Sequence, residues 1–323
     1  MKYYRFFTGV FIAAFLLSAC AGPAISAVGG KLVVVTSVAP IANILANIGG
    51  VRINLTGIIP EGSDSHTFEP APSDAKILAR ADLIFLNGLK LEEPTLKLAK
   101  ANLKSNAEIV LFGDQTLQPS QYIYDFSFPK ENGSPNPHLW MNPMYALRYA
   151  EIARDTLIRR DPAGTSQYNQ NYAAFKTRID GLDQAIQATI ASIPAVNRKL
   201  LTYHDSFAYF APRYGLTVIG AIQPSDFAEP SAKDVASMID QIKREHVPAI
   251  FGSEVFPSPV LDLIAKESGA KYVDKLRDDE LPGRLGDPNH TYFGLMVEDV
   301  SIMARSLGGD SAKIMDFDIR NIK

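Results

Sequence analysis

Short strand-like runs alternate along this chain with segments whose apolar residues recur every three or four positions. Lys31-Leu-Val-Val-Val-Thr36 reads as a buried parallel strand, and Val38 to Ile48 as a helix ended by Gly49-Gly50. Strand-like runs follow at Arg52–Ile58, Asp82–Leu86 and Glu108–Phe112, each paired with a helical pattern. Four such units in roughly 130 residues predict a parallel sheet with helices on both faces. The order repeats at Lys199–Tyr203, Leu216–Ile222, Ala249–Gly252 and Lys271–Val273, without self-similarity strong enough to be a sequence repeat. The expected fold class is α/β, with two parallel-sheet domains.

Between the halves runs the most regular helical pattern in the chain. Tyr168, Tyr172, Phe175, Ile179, Leu182, Ile186, Ile190 and Ile193 form one stripe at steps of three and four. Pro162 and Gly164 precede it and Pro194 stops it. At about 1.5 Å per residue this helix would run roughly 40 Å, long enough to be a rigid bridge between both domains. The expected organisation is therefore an N-terminal α/β domain over 31–164, a linker helix over 165–193 and a C-terminal α/β domain over 194–323. The segment Gly113 to Asn136, rich in Gln, Ser, Pro, Asn and Gly, reads as a long loop, and loops of that length are often functional.

The start of the chain has a different character. Lys2 and Arg5 precede an almost wholly apolar run from Phe6 to Leu17, followed by small residues. That is the layout of a secretory signal peptide over 1–19, and the run is short for a membrane span of about 20 residues. Leu17-Ser-Ala-Cys20 resembles the lipobox of bacterial lipoproteins, which would make Cys20 a lipidated N-terminus followed by a flexible spacer over 20–30. The expected location is extracytoplasmic, tethered to the cell membrane by lipid.

Composition narrows the chemistry. The 323 residues carry 32 Lys+Arg against 35 Asp+Glu, a net charge of −3, which gives no global electrostatic reason to bind nucleic acid. One cysteine rules out an internal disulfide, a CxxC redox pair and any site with several thiolates. Three of the five histidines instead fall where strands end. His66 lies in Glu61-Gly-Ser-Asp-Ser-His-Thr-Phe-Glu-Pro70 after the second strand, and His138 in Pro135-Asn-Pro-His-Leu-Trp-Met-Asn-Pro143 after the fourth. His204 ends the strand Leu200-Leu-Thr-Tyr, at the expected start of a helix, and Asp278 and Asp279 follow the last strand of the second half. Ligands of open α/β sheets bind outside the carboxyl ends of the strands, so these residues would converge on one cleft if the halves face each other. Three neutral imidazoles and one carboxylate would satisfy tetrahedral Zn²⁺, and with added coordination Mn²⁺. His246, at a helix C-terminus, and His290, before the last helix, stay outside this set.

The stretch His66 to Glu92, with His-Thr-Phe-Glu-Pro and Asp-Leu-Ile-Phe-Leu-Asn-Gly-Leu-Lys-Leu-Glu, resembles the cluster A-I (TroA-like) metal-binding lipoproteins, solute-binding components of bacterial ABC importers. Pro137-His-Leu-Trp-Met-Asn-Pro143, Tyr203-His-Asp-Ser-Phe-Ala-Tyr-Phe-Ala-Pro-Arg-Tyr-Gly-Leu216 and Leu276-Arg-Asp-Asp-Glu-Leu281 are similar to the family's other ligand motifs, in the same order. The resemblance implies two α/β domains bridged by a long helix, with the metal held between them by His66, His138, His204 and Asp279. It also implies a permease and a separate ATPase subunit as partners of a monomeric receptor. Asn136 stands where the family often has Asp, and Gly113 to Asn136 lacks the histidines of many zinc-specific members. His204 stands where manganese-selective members tend to have Glu, and imidazole suits Zn²⁺ where the harder oxygen suits Mn²⁺.

The expected function is capture of Zn²⁺ for an ABC importer, with a receptor for Mn²⁺ (or Fe²⁺) as the alternative within the family. A zinc-dependent hydrolase is the competing class, and it would need an open water position and a general base such as Glu69, Asp205 or Glu254. The chain carries no His-Glu-x-x-His, no Gly-x-Ser-x-Gly and no Walker-type loop, so no enzyme is expected. A surface adhesin, a role ascribed to relatives of this family, finds nothing in the sequence for or against it.

Overall fold

The strand-like runs form two four-stranded sheets, both wholly parallel. The structure is a computed structural model, and it describes residues 30–322 except 226, 254, 256 and 257. The segment expected to be a signal peptide, Cys20 and Glu254 lie outside the described residues. The first lobe contains β1 (Leu32–Thr36), α1 (Ala39–Gly49), β2 (Ile53–Gly57), α2 (Asp74–Arg80), β3 (Leu83–Leu86), α3 (Glu93–Asn102), β4 (Glu108–Leu111) and the short α4 (Phe112–Thr116). Then come α5 (Pro143–Arg160) and α6 (Thr165–Ala191). The second lobe has β5 (Lys199–Thr202), α7 (Ala211–Tyr214), β6 (Thr217–Ala221), α8 (Ala232–Glu245), β7 (Ala249–Ser253), α9 (Pro259–Ser268), β8 (Lys271–Leu276), α10 (Tyr292–Ser306) and α11 (Ala312–Met315).

The strand orders are β2-β1-β3-β4 and β6-β5-β7-β8, the same winding used twice. Each sheet therefore sends its chain to both sides of its first strand, which opens a crevice at the carboxyl ends. Strand alternation divides the second sheet between two cores. Leu200, Ala249 and Phe251 face the main core, whereas Leu201 and Ile250 face a smaller one made with Val235, Ile242, Leu261 and Ile264. The main core continues from the first sheet through α5 and α6 to α10, so burial of apolar surface couples the lobes as well as filling each.

α6 is the long helix that the stripe predicts. Tyr168, Phe175, Ile179, Leu182, Ile186 and Ile190 are buried along it. Tyr172 is only half-buried, with the Arg154 guanidinium over its ring at 4.2 Å. The helix starts after a 3₁₀ turn at Pro162–Gly164 and is followed by buried Ile193.

Two local expectations change. No helix begins at His204: residues 203–210 are bends and turns, and the four-residue α7 starts at Ala211. Residues 113–136 are not structureless either, since α4 and 3₁₀ turns at Pro119–Gln121 and Lys130–Asn132 punctuate them. This segment fastens to the second lobe. Ser127 donates its N–H to Asp205 Oδ2 (3.0 Å) and its hydroxyl to the Gln223 carbonyl (2.7 Å), and Ile123 N–H donates to Tyr209 Oη (3.1 Å). The sequence reading also passes over α5, which Asn142 caps by accepting from Met144 N–H at 3.0 Å.

Candidate metal centre

Each histidine is delivered by a segment with its own reason to turn. After β2, Asp64 accepts from His66 N–H (2.8 Å) and from Thr67 Oγ1 (2.8 Å), a side-chain-made turn that aims the His66 ring inward. Pro135 and Pro137 bracket Asn136, and Leu139 N–H bonds back to the Pro137 carbonyl at 2.8 Å, so His138 opens a tight 3₁₀ turn. At the end of β5, Tyr203 N–H is still in the sheet, bonded to the Phe251 carbonyl at 2.7 Å. Thr202 Oγ1 donates to the carbonyl of His204 at 2.6 Å and bends the chain away.

The three Nε2 atoms meet. His66 Nε2 is 3.2 Å from His138 Nε2 and 3.2 Å from His204 Nε2, and the last two are 3.0 Å apart. Among the described residues this is the group whose donor atoms are close enough to hold one ion. The tautomers of two rings follow from their backing. Asn136 Nδ2 donates to the Asp205 carbonyl (2.7 Å) and faces the Asp125 carboxyl, so Oδ1 is the end turned to His138. That oxygen can only accept, and it lies 2.9 Å from His138 Nδ1. Gln223 Oε1 stands 2.7 Å from His204 Nδ1 in the same way. Both rings therefore carry their proton on Nδ1 and turn the Nε2 lone pair toward the shared point. Facing lone pairs repel until a proton or a cation lies between them.

The electrostatics agree with that reading. Burial, reinforced by His204, holds the imidazoles of His66 and His138 well below the ordinary value. Burial also acts against a charged His204, yet the Asp278 and Asp279 carboxylates, joined by the Gln223 hydrogen bond and Asp64, outweigh it and raise His204. Asp278 Oδ2 is 3.6 Å from His204 Nε2. Asp279 is buried, and its Oδ2 accepts the Ser65 N–H from the other lobe at 3.3 Å. Burial first, and Asp278 second, push Asp279 up to about 7. Three imidazoles beside a pair of acids thus form a site that stores one or two protons and would exchange them for a divalent cation.

Further residues hold this arrangement. Trp140 Nε1 donates to the Asp278 carbonyl (2.8 Å) and Tyr292 Oη to the Trp140 carbonyl (2.7 Å), both across the lobes. Asn87 Nδ2 donates to the Pro137 carbonyl at 3.0 Å, and buried Glu92 accepts the N–H groups of Asn87 (2.7 Å) and Gly88 (3.1 Å). Behind Asn136, burial and Asp205 push Asp125 up to about 8, and burial raises Asp205. A cavity of about 140 Å³ adjoins His66, with Lys90, Ser127, Phe128, Ser134 and Phe227 in its wall. Phe227 stacks on the His66 ring (centroids 4.7 Å apart, 16° between planes) from a backbone with φ of 58°.

Among the expected residues, the structure brings His66, His138 and His204 together and sets Asp278 and Asp279 beside them. His290 instead faces Glu61 at 3.3 Å, and His246 is the left-handed cap of α8. Of the bases that a hydrolase would need, Glu69 is exposed and Asp205 is bound to Ser127. Gln223 and Phe227 escaped the sequence reading. Gln223 could have been found by the rule that selected the histidines, being a polar residue just past a strand end.

The family described as zinc-uptake complex component A, periplasmic, matches residues 34–306 of the chain. The iron-binding protein YfeA of Yersinia pestis is 31% identical over 278 residues, covering 86% of this chain and 87% of that protein. The manganese ABC transporter substrate-binding lipoprotein PsaA of Streptococcus pneumoniae is 28% identical, covering 90% and 94%. Among solved structures, the periplasmic zinc-binding protein TroA of Treponema pallidum superposes with a TM-score of 0.78 at 27% identity, over 86% of this chain and 99% of that one. Matches of this extent show that the chain belongs to the zinc-uptake complex component A family, metal-binding receptors of ABC importers and not enzymes.

Proposed function

We propose that this receptor captures Zn²⁺, held by the Nε2 atoms of His66, His138 and His204 and by the carboxylate of Asp279, and gives it up to a permease driven by a separate ATPase subunit. The observation that carries this reading is the convergence of three Nε2 atoms at 3.0–3.2 Å. Neutral imidazole suits zinc at about 2.0–2.1 Å per bond, and one carboxylate closes a tetrahedron. Capture is followed by no chemistry, because a closed tetrahedron leaves no position for a reacting water. The chain acts as a monomer, tethered through a lipid on Cys20, as its first twenty residues suggest and as relatives named lipoproteins support.

Manganese is the second reading, favoured by the relatives named for that metal. Mn²⁺ prefers oxygen, and the neighbouring Asp278 and Asp279 could supply it. Elemental analysis of the purified chain, followed by competition titration with Zn²⁺ and Mn²⁺, separates the two. Zn²⁺ should bind more tightly and raise the unfolding temperature at saturation by mass action. His204→Glu should move the preference toward Mn²⁺. Equal unfolding temperatures with and without either metal would sink the metal site altogether.

A further inference from the structure

Gln223 is held in place from both lobes. Its N–H donates to the Tyr203 carbonyl at 2.9 Å, which sets it level with His204, and its carbonyl accepts the Ser127 hydroxyl at 2.7 Å. The side chain is 1% exposed. Its Oε1 receives the His204 Nδ1–H at 2.7 Å, while its Nε2 finds no hydrogen-bond partner among the described residues. A buried amide N–H₂ without an acceptor is a standing cost to the fold. The orienting bond to His204 does not require it, since a carboxylate would accept the same proton and leave no donor stranded.

What distinguishes the amide is its neutrality. A carboxylate behind an imidazole raises the basicity of the far nitrogen and tightens the metal bond there. An amide oxygen fixes tautomer and ring plane but pushes less electron density into the ring. His138 is backed in the same manner, by Asn136 Oδ1 at 2.9 Å, and there a carboxyl, that of Asp125, stands one step further away, against the Asn136 amide N–H₂. Both rings with a resolved backing group thus have oriented, unboosted donors. Such a set fits an ion that must leave again.

We propose that Gln223 is a positioning residue that locks His204 in its Nδ1–H form while limiting how tightly the metal is held, so that the cargo remains releasable. This rests on the reading of the three histidines as a metal site. Gln223→Glu puts a charged oxygen at the same place and sacrifices no hydrogen bond made by Nε2. Gln223→Met removes the acceptor at nearly constant volume.

The test uses the full chain stripped of metal, with Zn²⁺ and Mn²⁺ titrated against a chromophoric chelator and release timed after adding excess chelator. Ring ¹⁵N–¹H spectra of the metal-free chain read the tautomer, and thermal melts check that each variant is folded. Q223E should bind Zn²⁺ about 10- to 100-fold more tightly and release it more slowly, and Q223M should bind it about 10- to 100-fold more weakly. The His204 Nδ1–H signal should be present in the unsubstituted chain and in Q223E, and be lost or mixed in Q223M. A folded Q223E that binds no more tightly than the unsubstituted chain overturns the proposal, as does a His204 protonated on Nε2 alone. If the unsubstituted chain binds neither metal, the metal reading itself falls and takes the affinity claim with it. Normal binding by the unsubstituted chain with unaltered variants refutes the role of Gln223 only.

Discussion

Glu92 is buried, and burial, opposed by the Asn87 N–H, the Ser37 side chain and the Gly88 N–H in that order, pushes its carboxyl from an ordinary 4.5 up to about 7. In the unfolded chain the proton leaves near 4.5, whereas in the fold it is retained up to about 7. Between those values the folded state binds more protons, so stability falls as pH rises through the window and is level above it. At about 1.36 kcal/mol for each pH unit, the whole fall is roughly 3 kcal/mol. Glu92→Gln cannot ionise and should lose this slope. It also turns one N–H₂ toward a backbone N–H, a pH-independent loss of about 1–3 kcal/mol. Urea unfolding of metal-free protein at several pH values from about 4.5 to about 7.5 measures both effects. The shared titrations of the histidines and Asp279 cancel in the difference between the two proteins. The stability gap should therefore close, or reverse, by about 3 kcal/mol across the window. A constant offset at every pH would refute the reasoning and place a charged Glu92 in the fold.

The other expectations concern the metal centre. Trp140 is the single tryptophan, fully buried with its ring 5.2 Å from that of His138, so Zn²⁺ should change its emission and saturate at one equivalent; unchanged emission with bound metal would show that the ion does not reach His138. Asp279→Asn should cost at least about 10-fold in Zn²⁺ affinity and Asp278→Asn less, and the opposite ranking by competition titration would move the ligand to Asp278. Phe227→Ala should quicken both uptake and loss of Zn²⁺ in stopped-flow traces with little change in affinity, because the stacked ring covers His66 without ligating; a loss of affinity alone would assign Phe227 to holding the site.

Much of this molecule is legible in its sequence because its strands are short apolar runs and its histidines are few. The runs at Leu32–Thr36 and Lys199–Thr202 are buried on both sides, and such strands read as continuous apolar stretches. α6 was readable because its stripe lacks interruptions. α5 was not, since arginines and acids break its pattern and much of its buried face is alanine. The pairing of β5 with β6, Thr202 opposite Ala221, is what brings Gln223 to His204, and no local pattern encodes it. The same holds for Phe227, which meets His66 only because the two lobes face each other.

The histidines are far apart along the chain: 72 residues separate His66 from His138, and 66 more separate His138 from His204. His66 and His138 follow strands of the first sheet and His204 follows a strand of the second, so neither lobe holds all three. The metal therefore meets its full set of ligands only once the two lobes have closed on each other, through contacts of large sequence separation that are slow to form. If those contacts form after the folding transition state, Zn²⁺ should leave the refolding rate unchanged and appear as slower unfolding, which refolding and unfolding traces with and without Zn²⁺ would show. The cargo would then keep the finished carrier from coming apart without guiding its assembly.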